Sequence, residues 1–165
     1  MGRGMSEQGG TERQRGPAYG FSGFYERSLD KQGRISLPYP FRRDHGQDGD
    51  ERFALTEGPD GVLCLLPFPD FARKINELAR QELDPAARDL LREQLVLTVE
   101  LRPDAQGRVQ LPADQLEAHG IAGTVVVVGM NHYLELWSQE AFGAKREMAS
   151  AEKARVEDLK RKLFA

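Results

Sequence analysis

Two arginines occupy the same place in two near-identical segments of this chain. Arg34 ends the run Asp-Lys-Gln-Gly-Arg that begins at Asp30, and Arg108 ends the run Asp-Ala-Gln-Gly-Arg that begins at Asp104. A guanidinium exposed beside a tight turn can hold a phosphate or bind the O6 and N7 edge of guanine through two hydrogen bonds. Alternatively, each arginine pairs with the aspartate of its own turn and only stabilises that turn. The residues alone leave both interpretations open.

Turn-forming residues surround each arginine. An aspartate can accept hydrogen bonds from nearby backbone N–H groups, and Gly33 and Gly107 supply the positive φ that a tight hairpin needs. In the strand that returns from each turn, period-two alternation directs the residue after the arginine, Ile35 or Val109, towards a core. The arginine then points to the opposite face. The pattern therefore predicts two hairpins, each with an arginine on its outward edge.

The two runs belong to a nine-residue segment that occurs at 30–38 and again at 104–112. Six of the nine positions are identical and one exchanges Ile for Val, which indicates a duplicated structural unit. A proline ends each copy and should begin a short helical segment, because proline cannot donate to a strand ladder. Further strands are predicted as hairpins at 52–56 with 62–66, and at 124–128 with 133–137.

Other elements precede and follow these hairpins. An extended run is predicted at 21–29, and a half-buried strand is predicted at 95–101 because Leu95, Leu97, Val99 and Leu101 alternate. One helix should begin near residue 69, and a second should begin at Asp84-Pro85 and end near residue 94. A last helix should run from about 138 to 163.

Composition limits the class of protein. With 165 residues, 30% charged and 39% hydrophobic, the chain has the size and composition of one soluble domain, or of two small units that share a core. No apolar run is long enough to span a bilayer and no secretion signal is visible, so we expect a cytoplasmic protein. The net charge of −3 requires any nucleic-acid site to be a local patch. Cys64 is the only cysteine, which excludes a disulfide framework within the chain.

The sequence resembles the MraZ family of bacterial transcriptional regulators in three features. They are the doubled motif Asp-x-x-Gly-Arg-x-x-x-Pro, the run Gly-Met-Asn-His-Tyr-Leu-Glu-Leu-Trp at 129–137 and the helix after each unit. The resemblance implies a mainly β fold with appended helices: a pseudo-twofold β-barrel of the AbrB type, in which two tandem copies interleave their hairpins. We therefore expect SpoVT/AbrB-like units at 21–94 and 95–165. Residues 1–20 are rich in glycine and poor in large apolar groups, which predicts a flexible arm.

The resemblance also implies a function. MraZ-like proteins form ring-like, nucleoid-associated homo-oligomers that bind direct repeats in the promoter of a cell-division and cell-wall gene cluster, which includes their own gene. Their Asp-x-x-x-Arg segment contacts double-stranded DNA, which favours DNA contact over a turn-only role for the two arginines. The candidate DNA contacts are Lys31, Gln32, Arg34, Gln106 and Arg108, and the candidate turn-shaping residues are Asp30, Gly33, Asp104 and Gly107.

One position departs from the symmetry of the two hairpins. Lys31 adds a cation to the first, whereas Ala105 replaces it in the second. The sequence therefore predicts that the first hairpin contributes more to the attraction of DNA phosphates.

Other functions are weighed against this one. An AbrB-like antitoxin that uses its C-terminal helix, or a scaffold whose hairpins bind protein, would have a similar pattern. The helices that follow the two units could pack between subunits or on their own barrel. The three histidines, His45, His119 and His132, lack metal-ligand spacing, and no phosphate-binding glycine loop follows a strand. We therefore expect no enzyme activity, no metal and no cofactor.

Overall fold

A computed structural model describes residues 20–42, 51–81, 83–147 and 150–165 of the chain. Almost all of the predicted arm at 1–20, and also His45, lie outside the described residues. The strands are β1 (Phe24–Ser28), β2 (Arg34–Ser36), β3 (Phe53–Glu57), β4 (Leu63–Pro67), β5 (Val99–Leu101), β6 (Arg108–Gln110), β7 (Thr124–Gly129) and β8 (Leu134–Trp137). The α-helices are α1 (Phe68–Ala79), α2 (Pro85–Leu97), α3 (Ala113–Ala118), α4 (Gln139–Arg146) and α5 (Ser150–Leu163), and short 3₁₀ turns cover Tyr39–Phe41 and Pro59–Gly61.

The strands form an open six-stranded antiparallel sheet and a separate two-stranded ribbon. The sheet has the order β1-β7-β8-β4-β3-β5, and the ribbon pairs β2 with β6. Within the described residues β1 and β5 remain the two edges of the sheet, so the predicted closed barrel is wrong. The physical reason is that β2 and β6 are three residues long and use their ladder hydrogen bonds on each other, so they do not bridge the two edges.

The sheet is built from strands that lie far apart in the chain. β1 pairs with β7, β3 pairs with β5, and β4 pairs with β8, while β3–β4 and β7–β8 are local hairpins. Each long-range ladder joins a strand from the first predicted unit to a strand from the second. Neither stretch therefore completes its sheet without the other.

One apolar core lies between the sheet and the ribbon. Ile35 of β2 and Val109 of β6 are directly paired and are 1% and 0% exposed. They belong to the same buried cluster as Leu55 and Leu65 of the large sheet. The ring of Phe41 extends this cluster and meets Tyr25 edge to face at a centroid distance of 5.2 Å. The ribbon is therefore fixed to the sheet by the burial of its inner face.

The strand predicted at 95–101 is half wrong. Helix α2 continues to Leu97, Leu95 is 55% exposed, and only Val99–Leu101 is a strand. The last turn of α2 is held to β3 by Gln94, whose Nε2 donates to the carbonyl of Glu57 at 3.0 Å. This anchor keeps the segment helical, although its leucines alternate as they would in a strand. The start of α2 is confirmed, because the Asp84 side chain accepts a hydrogen bond from the Ala86 backbone N–H.

The single helix predicted from 138 to 163 is two helices. Helix α4 ends at Arg146, and Glu147 has the non-helical dihedrals φ −88° and ψ 54°. In α5 the apolar stripe is exposed: Leu159 is 52% and Leu163 79% accessible. These two leucines therefore do not pack on the chain's own sheet, whereas Phe142 of α4 does, because its ring meets those of Phe24 and Trp137. Over the same residues, no helix combines the length and the apolar character needed to cross a membrane.

The buried ribbon predicts a large difference between two identical substitutions. We expect Val109→Ala to lower the free energy of unfolding by about 2 kcal/mol, because it removes buried apolar atoms and leaves a cavity. Val96→Ala is the matched control, since Val96 is 76% exposed on α2, and it should change stability by less than about 0.5 kcal/mol. Urea unfolding of both variants measures this difference. Equal losses would contradict a core shared by the ribbon and the sheet.

Candidate nucleic-acid interface

The first turn is organised by the carboxylate of Asp30. Its Oδ1 accepts hydrogen bonds from the backbone N–H groups of Gln32 and Arg34, both at 2.9 Å. Its Oδ2 accepts from Nε of Arg34 at 2.7 Å. The backbone N–H of Gly33 donates to the carbonyl of Asp30 at 3.0 Å, and Gly33 has φ 74°. A five-residue turn is thus closed by one side chain and one left-handed glycine.

The second turn repeats this arrangement. Asp104 Oδ1 accepts from the backbone N–H groups of Gln106 and Arg108 at 2.9 and 3.0 Å, and its Oδ2 accepts from Nε of Arg108 at 2.8 Å. Gly107 also has φ 74°. Each of the three hydrogen bonds accepted by Asp30 therefore has a counterpart at Asp104 whose length agrees within 0.1 Å.

Each arginine is tethered to its aspartate and only partly exposed. The side chains of Arg34 and Arg108 retain 27% and 34% of their accessible surface. In both, the hydrogen bond to the aspartate uses Nε. Among the described residues, the Nη1 and Nη2 groups of these arginines have no hydrogen-bond acceptor. The turn-stabilising pair that the sequence allowed as an alternative is therefore formed, and it leaves the two outer nitrogens available for a phosphate or a guanine.

Both turn aspartates are held in their charged form. The backbone N–H of Arg34 is the largest influence that lowers the pKa of Asp30, with the Arg34 side chain and the Gln32 N–H adding to it. The backbone N–H of Arg108 acts in the same way to lower the pKa of Asp104. Each carboxylate therefore stays ionised at neutral pH and orients its arginine as a charged partner.

The register of the ribbon places both arginines on one face. Arg34 is paired with Gln110 and Ser36 with Arg108, on either side of the buried pair at the centre. Because paired residues point to the same side of an antiparallel ladder, these four residues share the outward face. We call this set, Arg34, Ser36, Arg108 and Gln110, the ribbon face. The two arginines lie on its diagonal, where Cα atoms are about 7–8 Å apart.

The remaining predicted contacts border the ribbon face. Lys31, Gln32 and Gln106 are exposed within the turns. Nε2 of Gln110 donates to the carbonyl of Gln32 at 3.3 Å, which links the ribbon face to the first turn. The assignment of these side chains to DNA contact stays a prediction. Ser36 and Gln110 were missed in the sequence, although the same period-two alternation that turned the arginines outward could have found them.

His119 and Cys64 are held in structural environments away from the ribbon face. Nδ1 of His119 lies 2.7 Å from the carbonyl of Gln115, and its Nε2 lies 3.2 Å from a carboxylate oxygen of Glu57. Cys64 is 2% exposed, and burial, followed by the charge of Glu135, raises the pKa of its thiol to about 12. A thiol with this pKa stays protonated at neutral pH and is a poor nucleophile.

The lowered aspartate pKa values predict how the turns respond to acid. A depressed pKa in the folded state means that the carboxylates contribute stability above the usual value of 3.8, and that this contribution is lost as pH falls through the folded pKa. An NMR titration of the Asp30 and Asp104 carboxyl carbons should therefore show midpoints below 3.8. In Arg34→Gln the Asp30 midpoint should rise but stay depressed, because the backbone N–H remains. A wild-type midpoint at or above 3.8 would contradict this account of the turn.

Comparison with known proteins places the chain in a family. Residues 95–162 match the family model described as "MraZ protein, putative antitoxin-like". A protein of Corynebacterium glutamicum strain R, named "Transcriptional regulator MraZ", is 33% identical over 139 residues, which cover 84% of this chain and 94% of that protein. Proteins with the same name from Mycoplasmopsis pulmonis and Mycolicibacterium smegmatis are each 36% identical, over 79% and 74% of this chain and 87% and 83% of their own lengths.

These relatives match most of this chain and most of their own length, so the similarity is not confined to one hairpin. The resemblance first suggested by the doubled motif is thereby confirmed, and the chain belongs to the MraZ family.

Proposed function

We propose that this protein is a sequence-specific, DNA-binding regulator of transcription, and that the ribbon face with its two turns is the surface that meets the DNA. The observation that carries the proposal is the pair of tethered arginines on one outward face, each with its Nη1 and Nη2 groups free of partners among the described residues. The relatives named as transcriptional regulators support the same function.

The local charges support contact with a polyanion. The ribbon face and its turns carry Lys31, Arg34 and Arg108 against the carboxylates of Asp30 and Asp104. This excess of positive charge is small, and the chain as a whole has a net charge of −3. One copy should therefore bind DNA weakly, and tight binding requires several copies that bind adjacent sites together.

Several copies of the ribbon face, repeated along the duplex, would bind DNA more tightly than one copy. A ring-like homo-oligomer would present the same ribbon face several times, and direct repeats in DNA match contacts that recur by translation. The exposed stripe of Leu159 and Leu163 on α5 is suited to packing between subunits. The target that follows from the family resemblance is the promoter of a cell-division and cell-wall gene cluster that includes the protein's own gene. The protein would act on the nucleoid in the cytoplasm, without enzyme activity or a cofactor.

We also propose that the chain consists of two SpoVT/AbrB-like units, at 21–94 and 95–165, that interleave their strands. The ladders β1–β7 and β5–β3 support it, because each joins the first strand of one unit to the third strand of the other. The ribbon β2–β6 and the pair β4–β8 join corresponding strands. Helix α2 runs across the boundary at residue 94, so the end of this helix at Leu97 is the better limit of the first unit.

A second candidate is a DNA-binding antitoxin. The description of the matching family as antitoxin-like and the exposed apolar stripe of α5 both favour it. Genome neighbourhood separates the two candidates: an adjacent toxin gene favours the antitoxin, and an adjacent methyltransferase with cell-division genes favours the regulator. A scaffold without DNA-binding activity would form oligomers and show no salt-sensitive affinity for promoter DNA.

Removal of the two arginines tests the proposed site. We expect Arg34→Ala with Arg108→Ala to weaken binding to the DNA upstream of the protein's own gene by roughly 100-fold or more, because each arginine that binds a base through two hydrogen bonds contributes about 1–3 kcal/mol. Arg92→Ala is the matched control, since Arg92 lies on α2 and its side chain is 68% exposed. Electrophoretic shift titrations measure the affinities, and circular dichroism establishes that each variant is folded. Equal binding by the double variant and the control would overturn the assigned site.

A further inference from the structure

A third arginine lies at the second turn, although the sequence places it in neither motif. Arg42 follows the 3₁₀ turn Tyr39–Phe41 that succeeds β2. Its Nε donates to the carbonyl of Leu37 at 2.9 Å, and its Nη2 donates to Oγ of Ser36 at 2.9 Å. Because Ser36 is on the ribbon face and is paired with Arg108, this bond holds the Arg42 guanidinium beside the second arginine of the site.

Gly107 makes room for Arg42. A Cβ atom at residue 107 would lie 2.7 Å from Nε and 2.8 Å from Cζ of Arg42, which is closer than real Cβ contacts allow. The first turn has no such arrangement, because a Cβ at Gly33 would instead meet the carbonyl oxygen of Leu111 at 3.2 Å. The residue that corresponds to Arg42 in the second copy of the motif is Leu116, which is 7% exposed. The chain therefore supplies this arginine once, and only to the second turn.

We propose that Arg42 binds a DNA phosphate beside the second turn, in the role proposed for Lys31 beside the first. The inference rests on the proposed DNA-binding function. With Arg42 included, each turn has two cations next to its own aspartate: Lys31 and Arg34 at the first, Arg42 and Arg108 at the second. Arg42 therefore reduces the difference in positive charge that the sequence predicts between the two hairpins.

The geometry of Arg42 favours a phosphate as its ligand. Its two hydrogen bonds use two of the five N–H donors of a guanidinium, and within the described part of the chain the other three have no acceptor. A planar group that is already fixed loses little entropy when it binds an anion, and its remaining fork matches two phosphate oxygens. Asp104 and Glu51 line a cavity of about 260 Å³ that Arg42 also borders. Because carboxylates repel an anion, a phosphate would approach the Arg42 guanidinium from the side away from this cavity.

The test compares Arg42→Ala with Lys31→Ala in the full-length protein. The probe is a duplex of the region upstream of the protein's own gene, and the measured quantity is the slope of log affinity against log salt concentration. Each variant should make that negative slope shallower by about one for every subunit bound, because one phosphate contact is lost. Affinity should fall by a similar factor on the promoter and on a scrambled duplex, since a phosphate contact carries no sequence information. Arg92→Ala should leave the slope unchanged.

A rescue variant separates phosphate binding from a structural role. Arg42→Ala combined with Ala105→Lys restores a cation at the second turn but not the hydrogen bonds to Leu37 and Ser36. We expect this double variant to regain the wild-type slope. A slope for Arg42→Ala equal to that of the wild type, or no recovery in the double variant, would overturn the inference. If the wild type itself shows no salt-sensitive affinity for the duplex, the proposed function fails instead.

Discussion

The pairing of β2 with β6 is the constraint on which the candidate site depends. Two strands of three residues cannot hold a geometry alone, and these two are fixed because Ile35 and Val109 are buried against the large sheet. Period two then leaves no freedom in what faces outward: a shift of one residue would bury the arginines and expose the apolar pair. Burial of two aliphatic side chains thus sets the positions of Arg34 and Arg108, which are 74 residues apart in the sequence.

The bond between each aspartate and its arginine contributes orientation more than stability. A solvent-exposed ion pair is worth about 0–1 kcal/mol, and both side chains here are around one-third exposed. A free arginine side chain, in contrast, has about 2 kcal/mol of rotamer entropy to lose when it binds. A guanidinium already fixed at Nε has lost part of that entropy before any ligand binds. The carboxylate partly offsets the attraction for phosphate, and in return it holds the outer nitrogens in a defined direction.

The sequence predicted elements well where the signal was local, and failed where contacts between distant residues decided the outcome. Aspartate, glycine and proline at fixed spacing were sufficient to find both turns and the starts of α1, α2 and α3. Leu95 and Leu97 alternate as in a strand, yet the hydrogen bond from Gln94 to β3 keeps them helical. The open sheet also depends on which strands meet, and no local pattern encodes this. Arg42 lay outside the repeated motif, so nothing in the spacing linked it to Gly107.

The position of Arg42 follows from a difference in helical pitch between the two copies. After the proline of the second copy the chain forms α3, and the fourth residue, Leu116, turns into the core. After the proline of the first copy the chain forms a 3₁₀ turn, in which three residues complete one turn instead of 3.6. The third residue, Phe41, therefore fills the core and is 0% exposed. The fourth position is released from the core, and an arginine there can reach the neighbouring turn. The tighter 3₁₀ turn of the first copy therefore places Arg42 at the surface, at the position where the α-helix of the second copy places Leu116 in the core.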